Sequence, residues 1–327
     1  YRTIKNSITM KNGNFLKSVL FAFLAITTFS CSDDDDAGAP QSNTIAAIAS
    51  RTPDLSILVQ ALDRAGLVAA VDGTTALTVF APTNDAFEDF LDDNGFANLN
   101  AVPVDVLRQV LLNHVVAGAV QSTQLSTGYI ETSATFGGTP TGNALNMYVN
   151  TAAGVRLNGV SSVVTPNIIA SNGVVHVVDA VIGLPTVGTF AKADGNFSGL
   201  AAALTAQGLV PTLEGTAGSP FTVFAPTNAA FAALDAEIPG VVASLSSDEL
   251  TAVLTYHVVA GANALSTSLT QGQVLTTFET GTLTVGLTGG AKLTDERGRI
   301  TNIVAVDVQA ANGVIHVLDN VLLPTFD

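Results

Sequence analysis

Cysteine occurs once in this chain of 327 residues, at position 31. A lone thiol forbids an intrachain disulfide, so whatever folds here is held by its hydrophobic cores. Charge is scarce as well: 12% of residues are charged against 47% hydrophobic, about half the charged share usual in soluble domains. Cations are the scarcer sign. Twelve Lys and Arg stand against 27 Asp and Glu, for a formal net charge of −15. Four of those cations (Arg2, Lys5, Lys11, Lys17) precede Cys31, where there is no acid, so the rest of the chain sets eight cations against all 27 acids. No basic stripe offsets that charge, which excludes nucleic-acid binding. High and periodic apolar content excludes disorder for the body of the chain.

Catalytic signatures are missing too. There is no His-Glu-x-x-His or other ligand spacing for zinc, no Gly-x-Ser-x-Gly elbow, and no second cysteine. No glycine loop is shaped to cradle phosphate; Gly289-Gly290 reads as a hairpin. The expectation is a protein that is not an enzyme, with no metal and no cofactor.

The one apolar run near the start, 19–26, is too short to span a membrane and follows Met10-Lys11 and Lys17. It reads as a signal peptide, with translation expected to start at Met10 and residues 1–9 an upstream extension. The run ends at Ser30-Cys31, which resembles a bacterial lipoprotein signal, with Cys31 as the lipidated residue. Phe29 departs from the small residue preferred there; the alternative is a lone free thiol. Ser32 and Asp33, Asp34, Asp35, Asp36 then open a Pro/Gly/Ser tether. Taken alone, such residues form a self-repelling linker. After a lipidated cysteine they resemble the surface-export signal of lipoproteins in Bacteroidetes-type bacteria. An outer-membrane lipoprotein facing the cell exterior is expected, touching the membrane through its lipid only; multiple acyl chains would make that anchor stable.

What the chain does have is a repetition. Thr78-Val79-Phe80-Ala81-Pro82-Thr83-Asn84 returns as Thr222-Val223-Phe224-Ala225-Pro226-Thr227-Asn228. His114-Val115-Val116-Ala117-Gly118 returns from His257, and Asn172-Gly173-Val174-Val175-His176 returns as Asn312-Gly313-Val314-Ile315-His316. Offsets of about 140 residues exclude solenoids and propeller blades and indicate two tandem domains. The expected organisation is 1–30 leader, 31–42 lipidated cysteine and tether, 43–185 first domain and 188–325 second domain, joined by a short linker that restrains them.

Within one copy, helical spacing marks 44–50 and 55–68, with Thr52 as an N-cap and Pro53 at the first helical position. A strand at 77–80 should end at Pro82, and Thr83 or Asn84 should cap a helix through 92. A further amphipathic helix covers 104–112, and short β-branched runs fill 129–178. In the second copy the helices fall at 197–207, 229–235 and 247–254, with strands from 274 to 318. Asn172-Gly173 and Asn312-Gly313 read as tight turns.

These three ordered motifs resemble the fasciclin domain in both copies. The resemblance implies an α+β fold of two tandem fasciclin-like domains, each a β-sandwich-like wedge with helices packed on one side. It also implies extracellular adhesion or matrix binding.

Of the four histidines, His114, His176, His257 and His316, two, His176 and His316, alternate with apolar residues in a strand and read as buried structural groups, with a metal ligand as the alternative. Glu88-Asp89 with Asp92-Asp93, and Asp295-Glu296, read as solvated surface rather than paired catalytic carboxylates. Phe80, Pro82, Asn172, Gly173 and His176, with Phe224, Pro226, Asn312, Gly313 and His316, are expected to serve folding. The family's Tyr-His adhesion motif is matched by Tyr256-His257, whereas the first copy has Asn113-His114. Its Asp-Ile motif maps onto Asn167-Ile168 and Asp307-Val308. These eight residues form the candidate adhesion surface; packing of Tyr256 and His257 at a helix end is the other reading. The expected partner is a cell-surface, matrix or polysaccharide ligand. A ligand-free structural spacer of the cell envelope, or a polysaccharide-processing accessory protein, is the alternative.

Overall fold

A computed structural model describes residues 42–326. The expected signal peptide, the expected lipidation site Cys31 and the expected export residues Ser32 to Asp36 lie outside the described residues. Among the described residues no helix is long and apolar enough to cross a membrane.

The first copy begins with α1 (Ile45–Arg51), α2 (Ser56–Arg64) and α3 (Val68–Asp72). Thr44 caps α1, its hydroxyl accepting from the Ala47 N–H at 3.3 Å. Thr52 does not cap its helix: its hydroxyl turns back to the Ile48 carbonyl at 2.8 Å, and Pro53–Leu55 form a 3-10 turn before α2. The helical run expected over 55–68 is broken at Gly66, whose φ of +65° is a left-handed conformation that glycine adopts most readily. Then come β1 (Leu77–Pro82), α4 (Asn84–Asp93), α5 (Val104–Asn113), β2 (Val115–Ala117), β3 (Gly128–Thr135), β4 (Ala144–Asn150), β5 (Arg156–Leu157), β6 (Ser161–Ala170) and β7 (Gly173–Val178). Pro82 is the last residue of β1, and Thr83 caps α4 through the Ala86 N–H at 3.2 Å.

The seven strands form one sheet in the order β2-β1-β7-β6-β5-β4-β3, with β1 and β7 parallel. A parallel pair at the middle of a sheet is covered on both faces, which is why these strands read as unbroken apolar runs. Val79, Ala81, Val175 and Val177 face the helices, against Leu58, Leu62 and Leu111. Phe80 and Val178 point the other way, into a second core with Met147, Val149 and Leu157 from the other half of the sheet and Ile182 from the segment after β7. Each such fully buried side chain contributes about 1.5–3 kcal/mol. This double core is the wedge.

The second copy repeats the plan: α6 (Val187–Ala193), α7 (Ser198–Ala206), α8 (Val210–Glu214), β8 (Phe221–Pro226), α9 (Asn228–Glu237), α10 (Val241–Ser244), α11 (Ser247–Tyr256) and β9 (Val258–Ala260). Strands β10 (Val274–Thr276), β11 (Thr282–Gly286), β12 (Lys292–Thr294), β13 (Ile300–Ala310) and β14 (Gly313–Leu318) complete it. Its sheet order is β10-β11-β12-β13-β14-β8-β9, again with a parallel pair, β8 and β14.

The Asn-Gly pairs are not the centres of their turns. Ser171-Asn172 make the turn, and Gly173 opens the returning strand opposite Ala170. The Asn172 side chain is a clamp instead. Its Oδ1 accepts from the Ile45 N–H at 2.9 Å, and its amide donates to the carbonyls of Val71 at 2.9 Å and Gly73 at 2.7 Å. Asn312 does the same with the Val187 N–H and the carbonyls of Leu213 and Gly215. Each asparagine thereby pins the first and third helices of its copy to the sheet.

The copies also touch. Tyr129 and Tyr148, on the β3–β4 hairpin, pack into the helical core of the second copy, with Tyr129 edge-on to Phe190 at 5.2 Å. The Tyr129 hydroxyl donates to Asp194 at 3.1 Å, and burial together with that carboxylate pushes the phenol far up from its ordinary pKa. The Gln309 N–H donates to Asn146 Oδ1 at 2.7 Å, and the Ala311 N–H to the Pro185 carbonyl at 2.7 Å.

Candidate functional site

Chemistry that needs a free imidazole has none available in either copy. His114 follows the last turn of α5, donates from Nδ1 to the Val110 carbonyl at 2.7 Å and accepts at Nε2 from the Ile182 N–H at 2.9 Å. His257 repeats this with Val253 at 2.7 Å and the Leu322 N–H at 3.0 Å. Full burial lowers both rings to a pKa of about 4, against a smaller raising effect of the carbonyl each donates to. His176 and His316 take the opposite tautomer. Nδ1 of His176 accepts from the Asn167 N–H at 3.2 Å, and Nε2 donates to the Val120 carbonyl at 3.0 Å. His316 accepts from the Asp307 N–H at 3.4 Å and donates to Ala264 at 2.8 Å. Burial lowers these two rings as well. Phe80 and Phe224 stack on them, each at 5.5 Å and 24°. The strand-to-helix motif and the closing His are thus two halves of one core contact.

The residues matched to the tyrosine–histidine motif do not form a surface. Tyr256 is fully buried, its hydroxyl donating to the Thr282 carbonyl at 2.6 Å and accepting from the Glu296 N–H at 3.0 Å. Asn113 fills the equivalent space, donating to the carbonyls of Ile182 and Gly183 and accepting from the Thr132 hydroxyl. With His114 and His257 also buried, a ligand could reach these four only by opening the module. The physical reason is their position: the last turn of α5 or α11 enters the core, and the polar ends of these side chains close gaps in strand pairing. Tyr256→Phe is therefore expected to lower the stability of the second domain by about 1–2 kcal/mol, since it strips two part-buried backbone groups of their partner. Denaturant titration would report that loss while any ligand affinity stayed unchanged.

Asn167 and Asp307 are half-buried bulge residues at φ +64° and +61°, a conformation that Asn and Asp tolerate better than most side chains. Asn167 Oδ1 accepts from the Ser122 N–H at 2.8 Å, and its amide donates to the Ser122 hydroxyl. The Asp307 carboxylate takes the Ser266 N–H at 2.7 Å and the Ser266 hydroxyl. Both therefore tie a loop to the sheet. Val308 is buried and Ile168 half-buried; the exposed large apolar side chains of these strands are Val164 and Ile169 in β6, and Ile300, Val304 and Val306 in β13.

Of the acidic residues, Glu88, Asp89, Asp92 and Asp93 are exposed along α4. Asp295 is a correction: it is buried, at 5% exposure. Its carboxylate accepts from the N–H groups of Arg297, Arg299 and Leu323 and meets the Arg299 guanidinium at 3.4 Å. Arg299 in turn grips Glu237 through two hydrogen bonds, which hold that carboxyl down to a pKa of about 2. This network fastens the β12–β13 turn to the C-terminal segment, a contact between residues far apart in the chain. Among the described residues no group of three or more His, Cys, Asp and Glu side chains is placed to hold a metal.

The profile described as Fasciclin domain matches residues 53–185 and 195–324. Human periostin is 31% identical over 277 residues, covering 80% of this chain and 30% of periostin. This chain thus spans less than a third of that relative. An uncharacterized protein of Synechocystis is 36% identical over 142 residues, which is 98% of its own length but 43% of this chain. Among solved structures, a FAS1 domain pair from the insect cell adhesion molecule fasciclin I aligns with a TM-score of 0.52 at 21% identity. The alignment covers 83% of this chain and 97% of that one. With the profile found twice and over most of its length, this chain belongs to the fasciclin domain family.

Proposed function

We propose that this protein is a non-catalytic binding protein of the cell surface. A lipid on Cys31 holds it to the outer membrane, and its two fasciclin modules attach to cell-surface, matrix or polysaccharide ligands. One observation carries the non-catalytic part: every histidine has both ring nitrogens engaged by backbone groups. No imidazole is left to act as a general base. The adhesive part draws on the solved pair, which comes from a cell adhesion molecule. Two modules held on one body can bind with avidity where both reach ligand.

The test is attachment. Beads coated with the whole chain should adhere to at least one of a set of matrix proteins, polysaccharides and whole cells above an unrelated acidic protein; equal adherence sinks the proposal. For the anchor, cells fed a fatty-acid analogue should label the wild type and not Cys31→Ala, and the variant should leave the membrane fraction. The packing of Tyr129 and Tyr148 against Phe190 favours a second reading, a stiff spacer without its own ligand. Removing a module would then change reach and not adherence.

A further inference from the structure

We propose that the first module carries a binding site for neutral oligosaccharide in the groove between α2, α4 and the 97–100 segment, and that the second module has no counterpart. This rests on the surface-binding reading above and gives it a place and a ligand chemistry.

The groove holds about 560 Å³, inside the range of about 300–1,000 Å³ seen for small-molecule sites, so it has room for more than one sugar ring. Ile57, Leu91 and Leu99 supply an apolar floor, and Gln60, Asp63 and Glu88 stand around it. Gln60 and Asp63 are one turn apart on α2 and share a face, while Glu88 comes from α4. Being on helices, they are set by packing rather than by a loop. All three side chains are exposed, and none makes a hydrogen bond or ion pair among the described residues.

Arg64 fixes the far wall. Its Nη2 donates to the carbonyls of Asn100 at 3.0 Å and Val102 at 2.6 Å, and Asn98 Oδ1 accepts from the Asn100 N–H at 2.9 Å. The segment is therefore pinned to α2. The Nε of Arg64 is buried with no partner among the described residues. A buried donor of this kind is costly to leave unpaired unless something else repays it.

Comparison of the copies separates fold from ligand. The matched helices align through Leu58 with Leu200, Leu62 with Leu204 and Gly66 with Gly208. Gln60, Asp63 and Arg64 then correspond to Ala202, Thr205 and Ala206, and Glu88 to Ala232. The Thr205 hydroxyl is taken by the Ala201 carbonyl at 2.7 Å. The same fold thus forms without any of these polar groups, so the wedge does not need them.

The chemistry selects the ligand. Sugar hydroxyls both donate and accept, and here carboxylate and amide oxygens accept while amide N–H groups donate. The carbon face of a pyranose suits an apolar floor. Two carboxylates against one guanidinium repel uronates and sulfated sugars.

The test is affinity electrophoresis of the whole chain in gels containing soluble neutral glucans, mannans or galactans, with polygalacturonate and a Lys-rich peptide as comparators. The variant Gln60→Ala/Asp63→Thr/Glu88→Ala carries the second module's residues, and Glu88→Ala alone serves if the triple variant melts early. At least one neutral polysaccharide should retard the wild type. The variant should bind about tenfold or more weakly, with an unchanged melting temperature. Binding should hold between about 50 and about 500 mM salt, since screening does not touch an uncharged ligand. Asp63→Asn/Glu88→Gln should keep most of it. Three results overturn the proposal: no neutral polysaccharide retards the wild type, the triple variant binds undiminished, or the ligand proves to be the Lys-rich peptide, lost in Asp63→Asn/Glu88→Gln and in salt. If bead attachment persists in any of these cases, only the groove assignment fails. If the wild type also does not attach, the surface-binding reading fails with it.

Discussion

Gly173→Ala should unfold the first module. A Cβ at this position would lie 1.9 Å from the Leu77 carbonyl oxygen and within 3.0 Å of two more Leu77 backbone atoms. No side-chain rotation relieves such a clash, because the atoms met are the first residue of β1, paired in register with Gly173 itself. The φ of +150° adds a conformation that other residues avoid. Separating β1 from β7 would open both cores at once, as Val79 and Phe80 leave on opposite faces. The expected loss is about 4 kcal/mol or more, the range reserved for backbone strain and core disruption. Gly95→Ala is the control: its φ is +69° but nothing lies within 4 Å, so it should cost only about 1–2 kcal/mol. Denaturant unfolding with amide exchange read at β1 and β7 distinguishes the two. Equal effects would refute the close-approach argument.

Acid should destabilise both modules well above the range where carboxylates titrate. His114 and His257 have folded pKa values of about 4, against about 6.5 when unfolded. Between those limits the unfolded chain binds more protons, so stability falls as pH falls. The contribution is complete above about pH 6.5 and lost on the way down to about 4, amounting to about 3 kcal/mol per ring. His176 and His316, also lowered, act with the same sign. In the second module Glu237, held down by Arg299, carries the loss below pH 4, because that carboxylate must then be protonated. A melting temperature that stayed flat from pH 7 to about 5 would contradict this account. His114→Gln is the diagnostic variant: it should be less stable at neutral pH, yet respond less to acid.

What could be read from the chain was local. The Thr-Val-Phe-Ala-Pro-Thr-Asn string announces its corner because its Pro ends the strand and its Thr caps the helix within a few residues. The burial of His176 and His316 was legible from the apolar residues alternating around them in the strand. Apart from the uncapped Thr52 and the break at Gly66, the errors involve partners far away in the chain. Asn172 reads as a turn residue until Val71 and Gly73, about a hundred positions earlier, are seen around its amide. Tyr256 reads as an exposed motif until Thr282 and Glu296 close over its hydroxyl. Asp295 reads as solvated until Leu323 arrives. Gln60, Asp63 and Arg64 had a signal that needed no structure: alignment of α2 with α7 exposes them as polar groups facing alanine and threonine.

The contact between the copies has a consequence for how this molecule can be divided. Tyr148 belongs to the first repeat by sequence, yet it is buried in the helical core of the second. Asn146 likewise caps a backbone N–H of β13. Separating the copies would bare Phe190 and leave Asp194 without its tyrosine. The repeat divides the sequence into two units, but part of the second unit's core is supplied by side chains of the first.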